Sequence, residues 1–304
     1  MYLMRLFVGV ASLCVGMLFS HQAAMAEALP QRWVSAGGSV SEWVVALGGQ
    51  DKLVGVDTTS QHPEALKALS SVGYQRQLAA EGILSLRPDI LVGTEEMGPP
   101  PVLAQISAAG VRIERLASTA DLATLERNLK LIGALLGNEA RADQALADYR
   151  QRLEHQAEWV SQVQRTQKSP RVLFLLGHAG SGPQAAGKDT AAAWLIQRAG
   201  GQNLTDHQGY KAISSEALAA LDPDVVVIAD RRLEGEAARD ALLQQSPALA
   251  ATRAAREGRL LSLDPTLLVG GLGPRVPDGI AALSAGFYPS APAPAPTAKS
   301  PSQP

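Results

Sequence analysis

The chain has 304 residues, and 27 Lys and Arg residues against 29 Asp and Glu residues give it a formal net charge of −2 at pH 7. Because the two signs are interspersed, no basic surface for nucleic acid is indicated. The single cysteine, Cys14, lies in an N-terminal apolar run, so the chain beyond that run has no thiol for a disulfide, an iron–sulfur cluster or a cysteine-ligated metal.

The N-terminal residues have the layout of a cleaved secretory signal. Arg5 precedes an apolar run at residues 6–19, and small residues follow at Ala24 and Ala26. The run is short for a membrane span, which takes about 20 residues. We therefore expect residues 1–26 to be a signal peptide cleaved after Ala26, with export of the mature protein to the periplasm. A retained anchor helix is the alternative.

Short apolar segments and glycines then predict alternating strands and helices. Residues 33–36 and 53–56 have the short, largely apolar pattern of strands. Between them, Ser39 and Glu42 have the spacing of a capping box, in which each side chain bonds the other's backbone N–H at the start of a helix. We expect that helix to end at the glycine pair 48–49, which completes the first α/β unit.

The next loop, at residues 71–78, contains Tyr74 and Arg76. A loop tyrosine that follows a glycine is usually a partly exposed packing residue, although loops carry a large share of binding residues. Phenolate is also a recognised axial ligand of ferric haem, and a nearby cation such as Arg76 favours the ionised form. On the residues alone, packing and iron ligation both remain open for Tyr74.

A helix-to-strand unit then occurs twice, at residues 81–93 and 216–228. In each copy a glutamate, Glu81 or Glu216, opens a short amphipathic helix that a Pro-Asp pair stops, because proline clashes with the preceding turn. The continuous apolar strand that follows is typical of parallel strands covered on both faces. Two copies far apart in the chain predict two similar α/β lobes.

The connection between the two copies is predicted to be helical. Residues 121–167 contain no proline and are rich in helix-forming residues, with one break at residues 137–138. This pattern predicts one helix on the first lobe and a second, rigid helix that leads to the other lobe. Further elements are predicted as a helix at residues 100–109 and strands at 111–116, 171–176 and 259–263.

Two other motifs carry a catalytic or nucleotide-binding alternative. Residues 182–189 nearly match a phosphate-binding loop, but Asp189 replaces its Ser or Thr and Pro183 removes a backbone N–H. The pair Glu95 and Glu96 lacks a partner nucleophile or base, and adjacent residues seldom converge on one atom. We expect neither motif to be a reaction centre, and no histidines beyond residue 26 have the spacing of a metal motif.

These elements predict an α/β fold of two Rossmann-like lobes with central, mostly parallel sheets joined by a long connecting helix. The expected boundaries are residues 27–120 for the N-terminal lobe, 121–168 for the connecting helical segment and 169–289 for the C-terminal lobe. Residues 290–304 are rich in Pro and Ala and have no apolar period, which predicts a disordered tail.

Four segments, together with the first repeat copy, resemble a known family. Residues 72–78, 93–100, 183–190 and 272–275 are similar to the periplasmic haem-binding proteins of bacterial haem ABC importers, within the vitamin B12- and siderophore-type solute-binding superfamily. The resemblance implies a non-enzymatic protein that holds haem b between its lobes, with Tyr74 as the iron ligand. A corrinoid or an iron–siderophore on the same scaffold is the alternative, and a periplasmic α/β enzyme is the rival from another class.

The resemblance also implies roles for residues of the second lobe. Arg231, with Arg232 as the alternate, is expected to hydrogen-bond the ligating tyrosine or lie over the haem. His178 is a candidate sixth ligand of the iron. Two other tyrosines, Tyr149 and Tyr210, are expected outside the cleft.

The partners implied are an importer permease with its ATPase, and an outer-membrane haem receptor system upstream. Glu81 and Glu216 occupy the places of the family's permease-docking glutamates. Their simpler interpretation is that each favours the positive end of its helix dipole.

Overall fold

The computed structural model describes residues 28–178, 181–230 and 235–292, and its first sheet is parallel throughout. Trp33 pairs with both Leu53 and Ile90, so the strand that begins at Trp33 is central and fully buried. The order is β3-β2-β1-β4-β5. The strands are β1 (Trp33–Ala36), β2 (Leu53–Val56), β3 (Ser70–Ser71), β4 (Ile90–Thr94) and β5 (Arg112–Leu116), with helices α1 (Gly38–Ala46), α2 (Ala80–Ser85) and α3 (Pro100–Ala108).

The second sheet is mixed, and in the described residues it has six strands in the order β11-β10-β6-β7-β9, with β8 paired to β6. The strands β6, β8, β10 and β11 pair in parallel. Strand β7 pairs antiparallel with β6 on one side and with β9 on the other. The predicted fold class is confirmed. Of residues 182–189, which were compared above with a phosphate-binding loop, residues 182–186 belong to strand β7. The strands are β6 (Arg171–His178), β7 (Ser181–Ala186), β8 (Gln202–Asn203), β9 (Tyr210–Ala212), β10 (Val225–Asp230) and β11 (Leu260–Ser262).

Two consecutive helices connect the sheets, and the break predicted between them is confirmed. Helix α4 (Leu122–Leu136) ends at Gly137, whose φ of 71° is left-handed. Helix α5 (Glu139–Val163) follows and is 25 residues long, or about 37 Å at 1.5 Å per residue. It bridges the two lobes: Tyr149, near its middle, packs against Trp43 of α1, and Trp159, near its C-terminal end, packs against Tyr288, which follows the last helix of the second lobe. The remaining helices are α6 (Ala191–Arg198), α7 (Ser215–Leu221), α8 (Gly235–Gln245), α9 (Arg253–Arg256) and α10 (Val276–Phe287).

The internal repeat has the same local structure in both lobes. The residue before each repeat proline, Arg87 or Asp222, has a positive φ. An arginine at the start of the neighbouring strand donates to the last carbonyls of the repeat helix, which satisfies groups that a helix end leaves unpaired. These hydrogen bonds join Arg32 to Leu86 (2.7 Å) and Arg87 (3.0 Å), and Arg171 to Leu221 (2.7 Å) and Asp222 (3.1 Å).

The predicted capping box is wrong. The N-cap of α1 is Gly37, and it makes no side-chain capping bond. Ser39 and Glu42 lie inside the helix, where both are buried. Their polar atoms are satisfied instead by residues more than 200 positions away in the sequence, which no local pattern reveals.

Candidate functional site

A cleft of about 1230 Å³ lies between the lobes. A smaller hollow of about 630 Å³ shares Tyr74 and two other lining residues with it. The first-lobe wall includes Tyr74, Gln75, Arg76, Glu96 and residues 118–120; the second-lobe wall includes Gln184, Lys188, Asp189, Trp194, Gln197 and Tyr210; the floor is formed by Pro265 and residues 268–271.

The main chain fixes the position of Tyr74 on the first-lobe wall. Gly73 has a φ of 88°, a left-handed conformation that favours glycine, and its carbonyl accepts from Thr58 N at 2.9 Å. Tyr74 O accepts from Gln77 N at 2.7 Å. The loop follows β3, so it lies at the carboxyl end of parallel strands, where α/β sheets bind ligands. The main chain of Tyr74 is thus held at a fixed point on the wall of the cleft, and its side chain is half-buried.

Arg76 lies on the same wall, but its charge is engaged. Its guanidinium forms an ion pair with Glu96 at 2.8 Å. The hydrogen bond to Glu96 is the main reason why the pKa of Arg76 is raised, and the charge of Tyr74 contributes least to that rise. The carboxylate therefore offsets much of the positive field that Arg76 would otherwise exert on the phenol. The sequence pattern did not reveal this role of Glu96.

Tyr210 is in the cleft, which corrects the prediction that it lies outside. It opens β9 and lines the second-lobe wall because β9 pairs antiparallel with β7. Tyr149 was rightly placed outside: it is 3% exposed and packs against Trp43, with ring centroids 5.9 Å apart. Burial raises the pKa of Tyr149, so its hydroxyl stays protonated.

The floor of the cleft is hydrogen-bonded to the first lobe through α1. Ser39 Oγ donates to Val269 O at 2.8 Å, and Trp43 Nε1 donates to Leu272 O at 2.7 Å. The chain that leaves β11 therefore crosses to the first lobe before it begins α10. These contacts give the buried Ser39 its hydrogen-bond partners and hold the floor in place.

Buried charges strengthen the same connection. Glu42, 5% exposed, accepts from Arg275 at 2.7 and 3.0 Å, and Arg275 also donates to Asp264 at 2.7 Å. His62 Nε2 lies 3.1 Å from Asp264. Burial raises the pKa of Glu42, and the hydrogen bonds from Arg275 oppose that rise. Because charge-assisted bonds of this geometry are among the strongest in proteins, the spacing between the lobes is well defined.

Three residues that the resemblance implicates are not described by the structure at side-chain level. Arg231 and Arg232 lie outside the described residues. The preceding residue, Asp230, lines the smaller hollow together with Tyr74. His178 ends β6, and its side chain also lies outside the described part.

The glutamates singled out in the sequence do not meet at one site in the fold. Glu81 and Glu216 are exposed at the starts of α2 and α7. Backbone and Ser214 hydrogen bonds lower the pKa of Glu216, which therefore stays ionised. Glu95 accepts from Ser118 and does not converge on the ion pair of Glu96. In the described residues, no cluster of three or more His, Cys, Asp or Glu residues could hold a metal ion.

Two α/β lobes, a bridging helix and a cleft between the lobes are the architecture of a solute-binding protein. No helix among the described residues is long and apolar enough to cross a membrane. The chain belongs to the periplasmic binding protein family, whose profile matches residues 34–267. That family consists of non-enzymatic transport components.

Three individual proteins show which members of the family this chain is similar to. A periplasmic heme-binding protein from Pseudomonas aeruginosa is 68% identical, with a TM-score of 0.85 and coverage of 87% of this chain and 95% of that one. BhuT, a periplasmic heme-binding protein in complex with two hemes, is 35% identical, with a TM-score of 0.74 and coverage of 84% and 98%. A cobalamin-binding protein of Halobacterium salinarum is 26% identical over 275 residues, which are 88% of this chain and 72% of the relative. The resemblance predicted from the sequence is confirmed.

Proposed function

We propose that this chain binds ferric haem between its lobes in the periplasm, with the Tyr74 phenolate as the iron ligand, and delivers it to an ABC importer. The position of Tyr74 on the wall of the cleft carries the proposal. Phenolate is an established axial ligand of ferric haem. Because backbone hydrogen bonds already hold the loop that carries Tyr74, little main-chain entropy is lost when the ligand binds. The heme-binding relatives support haem as the cargo, and we propose that its form is haem b.

A positive charge near the phenol would favour ligation, because free tyrosine ionises only near pH 10. Arg76 is paired with Glu96, so we assign this role to Arg231, with Arg232 as the alternate. The position of the preceding residue, Asp230, beside the hollow that Tyr74 lines supports this assignment. His178 remains a candidate sixth ligand.

A corrinoid is the second candidate cargo, and the cobalamin-binding relative favours it. Titration of the purified mature protein with hemin and, separately, with cyanocobalamin distinguishes the two. We expect a shifted Soret band that saturates at one haem per chain, because Tyr74 is the ligand proposed for the iron. Saturation at two haems, as in the complex of BhuT with two hemes, would contradict the single-ligand proposal. Binding of cyanocobalamin alone would support the alternative.

Delivery requires a permease with its ATPase, and an outer-membrane haem receptor would supply the cargo upstream. We propose that Glu81 and Glu216 contact basic residues of that permease. Both are exposed, and both begin the helix of a structurally repeated unit, so each lobe presents one carboxylate in an equivalent setting. A permease with two-fold symmetry would offer equivalent partners to the two lobes.

Substituting Glu81→Ala and Glu216→Ala should slow haem uptake in reconstituted vesicles, with the double variant slower than either single one. The charges act on encounter and orientation, so hemin titration of the free variants should give wild-type curves. Glu139→Ala, which removes another exposed glutamate from a first helical turn, is the matched control. Wild-type uptake by the double variant would show that the two glutamates only begin their helices.

A further inference from the structure

We propose that Lys188 binds a carboxylate side chain of the ligand and thereby selects a tetrapyrrole with free acidic substituents. This inference rests on the proposed function and deepens it, because haem carries two propionates whereas the peripheral groups of a corrinoid are neutral amides. It concerns the second-lobe wall, across the cleft from Tyr74.

Lys188 and Arg76 differ in whether a carboxylate partner holds the side chain. The described lysine and arginine side chains that line the cleft are Arg76 and Lys188. Arg76 is held by Glu96 at 2.8 Å. Lys188 is exposed and has no ion pair or side-chain hydrogen bond with any residue that the structure describes. Within the described part of the chain, it is therefore the cation of the cleft whose charge is available to a ligand.

The backbone at Lys188 is fixed, although its side chain is exposed. Lys188 N donates to His207 O at 2.6 Å, and Lys188 O accepts from Gly209 N at 3.0 Å. A Cβ on Gly187 would lie 2.0 Å from His207 O, so only glycine permits the close approach of the two segments. The lysine thus reaches into the cleft from an ordered base, which limits the entropy lost when it binds an anion.

The adjacent carboxylate, Asp189, should have the opposite effect to Lys188 on the binding of an acidic ligand. Asp189 also lines the cleft and is exposed. Its negative charge repels a carboxylate of the ligand and so reduces the attraction that Lys188 exerts. Neutralising Asp189 should strengthen binding of an acidic ligand, whereas neutralising Lys188 should weaken it.

The test compares hemin with hemin dimethyl ester, in which both propionates are blocked. Lys188→Gln should weaken hemin binding by roughly 3- to 10-fold, between the effect of an exposed ion pair and that of a buried charged hydrogen bond. The same variant should bind the ester as the wild type does. Lys188→Arg should retain affinity for hemin, and Asp189→Asn should raise it.

Lys211→Gln is the matched control, because Lys211 is exposed in β9 of the same sheet but does not line the cleft. If Lys188→Gln weakens hemin and the ester equally, or weakens neither, the assignment of Lys188 is wrong while the haem proposal stands. If the wild-type protein does not bind hemin at all, the proposed function itself fails. The two failures are therefore distinguishable.

Discussion

Replacing Tyr74 with alanine should abolish the charge-transfer absorption of the ferric haem complex and weaken hemin binding by at least about 100-fold. Loss of an outer-shell partner alone typically costs a metal site 10- to 100-fold, and Tyr74 is proposed as the direct ligand. The substitution removes a half-buried side chain from a loop held by backbone hydrogen bonds, so the fold should survive. Absorption spectra and competition titrations with apomyoglobin measure the two effects.

Two further variants, Tyr210→Ala and Tyr74→Phe, separate ligation from loss of cleft surface. Tyr210→Ala removes a comparable ring from the opposite wall, and it should leave the charge-transfer band in place. Tyr74→Phe keeps the ring but lacks the hydroxyl, so it should lose the band as Tyr74→Ala does. A wild-type spectrum from Tyr74→Phe would rule out the phenolate as ligand, and loss of the band in Tyr210→Ala alone would transfer the assignment to the second lobe.

Replacing Arg275 with methionine should lower the free energy of unfolding by about 3 kcal/mol, because removing one partner of a buried ion pair leaves the other charge uncompensated. That remaining charge is Glu42, which is 5% exposed. Thermal and denaturant unfolding measure the loss. Arg150→Met is the matched control: its pair with Glu126 joins side chains that are 43% and 32% exposed, so losing it should leave the free energy of unfolding almost unchanged.

The free energy of unfolding of the same variant should depend more steeply on pH than that of the wild type. Burial raises the pKa of Glu42, and loss of Arg275 removes the hydrogen bonds that oppose the rise. The folded state then holds a proton that the unfolded state releases, so the stability of Arg275→Met should fall as the pH rises above the ordinary value of 4.5. Adding Glu42→Leu should restore part of the lost stability and flatten this slope. An unchanged slope would show that Glu42 remains charged and solvated.

Local patterns predicted the parts of the fold that depend on local physics. The strands at residues 33–36 and 53–56 have the predicted bounds, and Gly137 ends α4 because a left-handed residue is needed there. The repeat predicted two similar lobes because its prolines and strands carry the same constraints in each copy. Both of its helices appear, at α2 and α7.

The errors arose where distant contacts override local chemistry. Ser39 and Glu42 match a capping box, but their partners are 230 and 233 residues away, so the pattern could not distinguish capping from contact between the lobes. Tyr210 was misplaced because β7, with its glycine, proline and glutamine, does not have the apolar pattern of a strand. Without β7, nothing in the sequence places β9 beside the cleft.

The hydrogen-bonded floor limits how much the outer surface of the protein can change when the cleft is filled. Ser39 and Trp43 bond the chain at Val269 and Leu272, and Glu42 bonds Arg275, so the segment from the floor to the start of α10 is joined to the first lobe by bonds within the protein. Filling the cleft should therefore leave the distance between the outer helices almost unchanged. The empty and loaded proteins then present nearly the same outline, and the empty form should compete for the same docking surface.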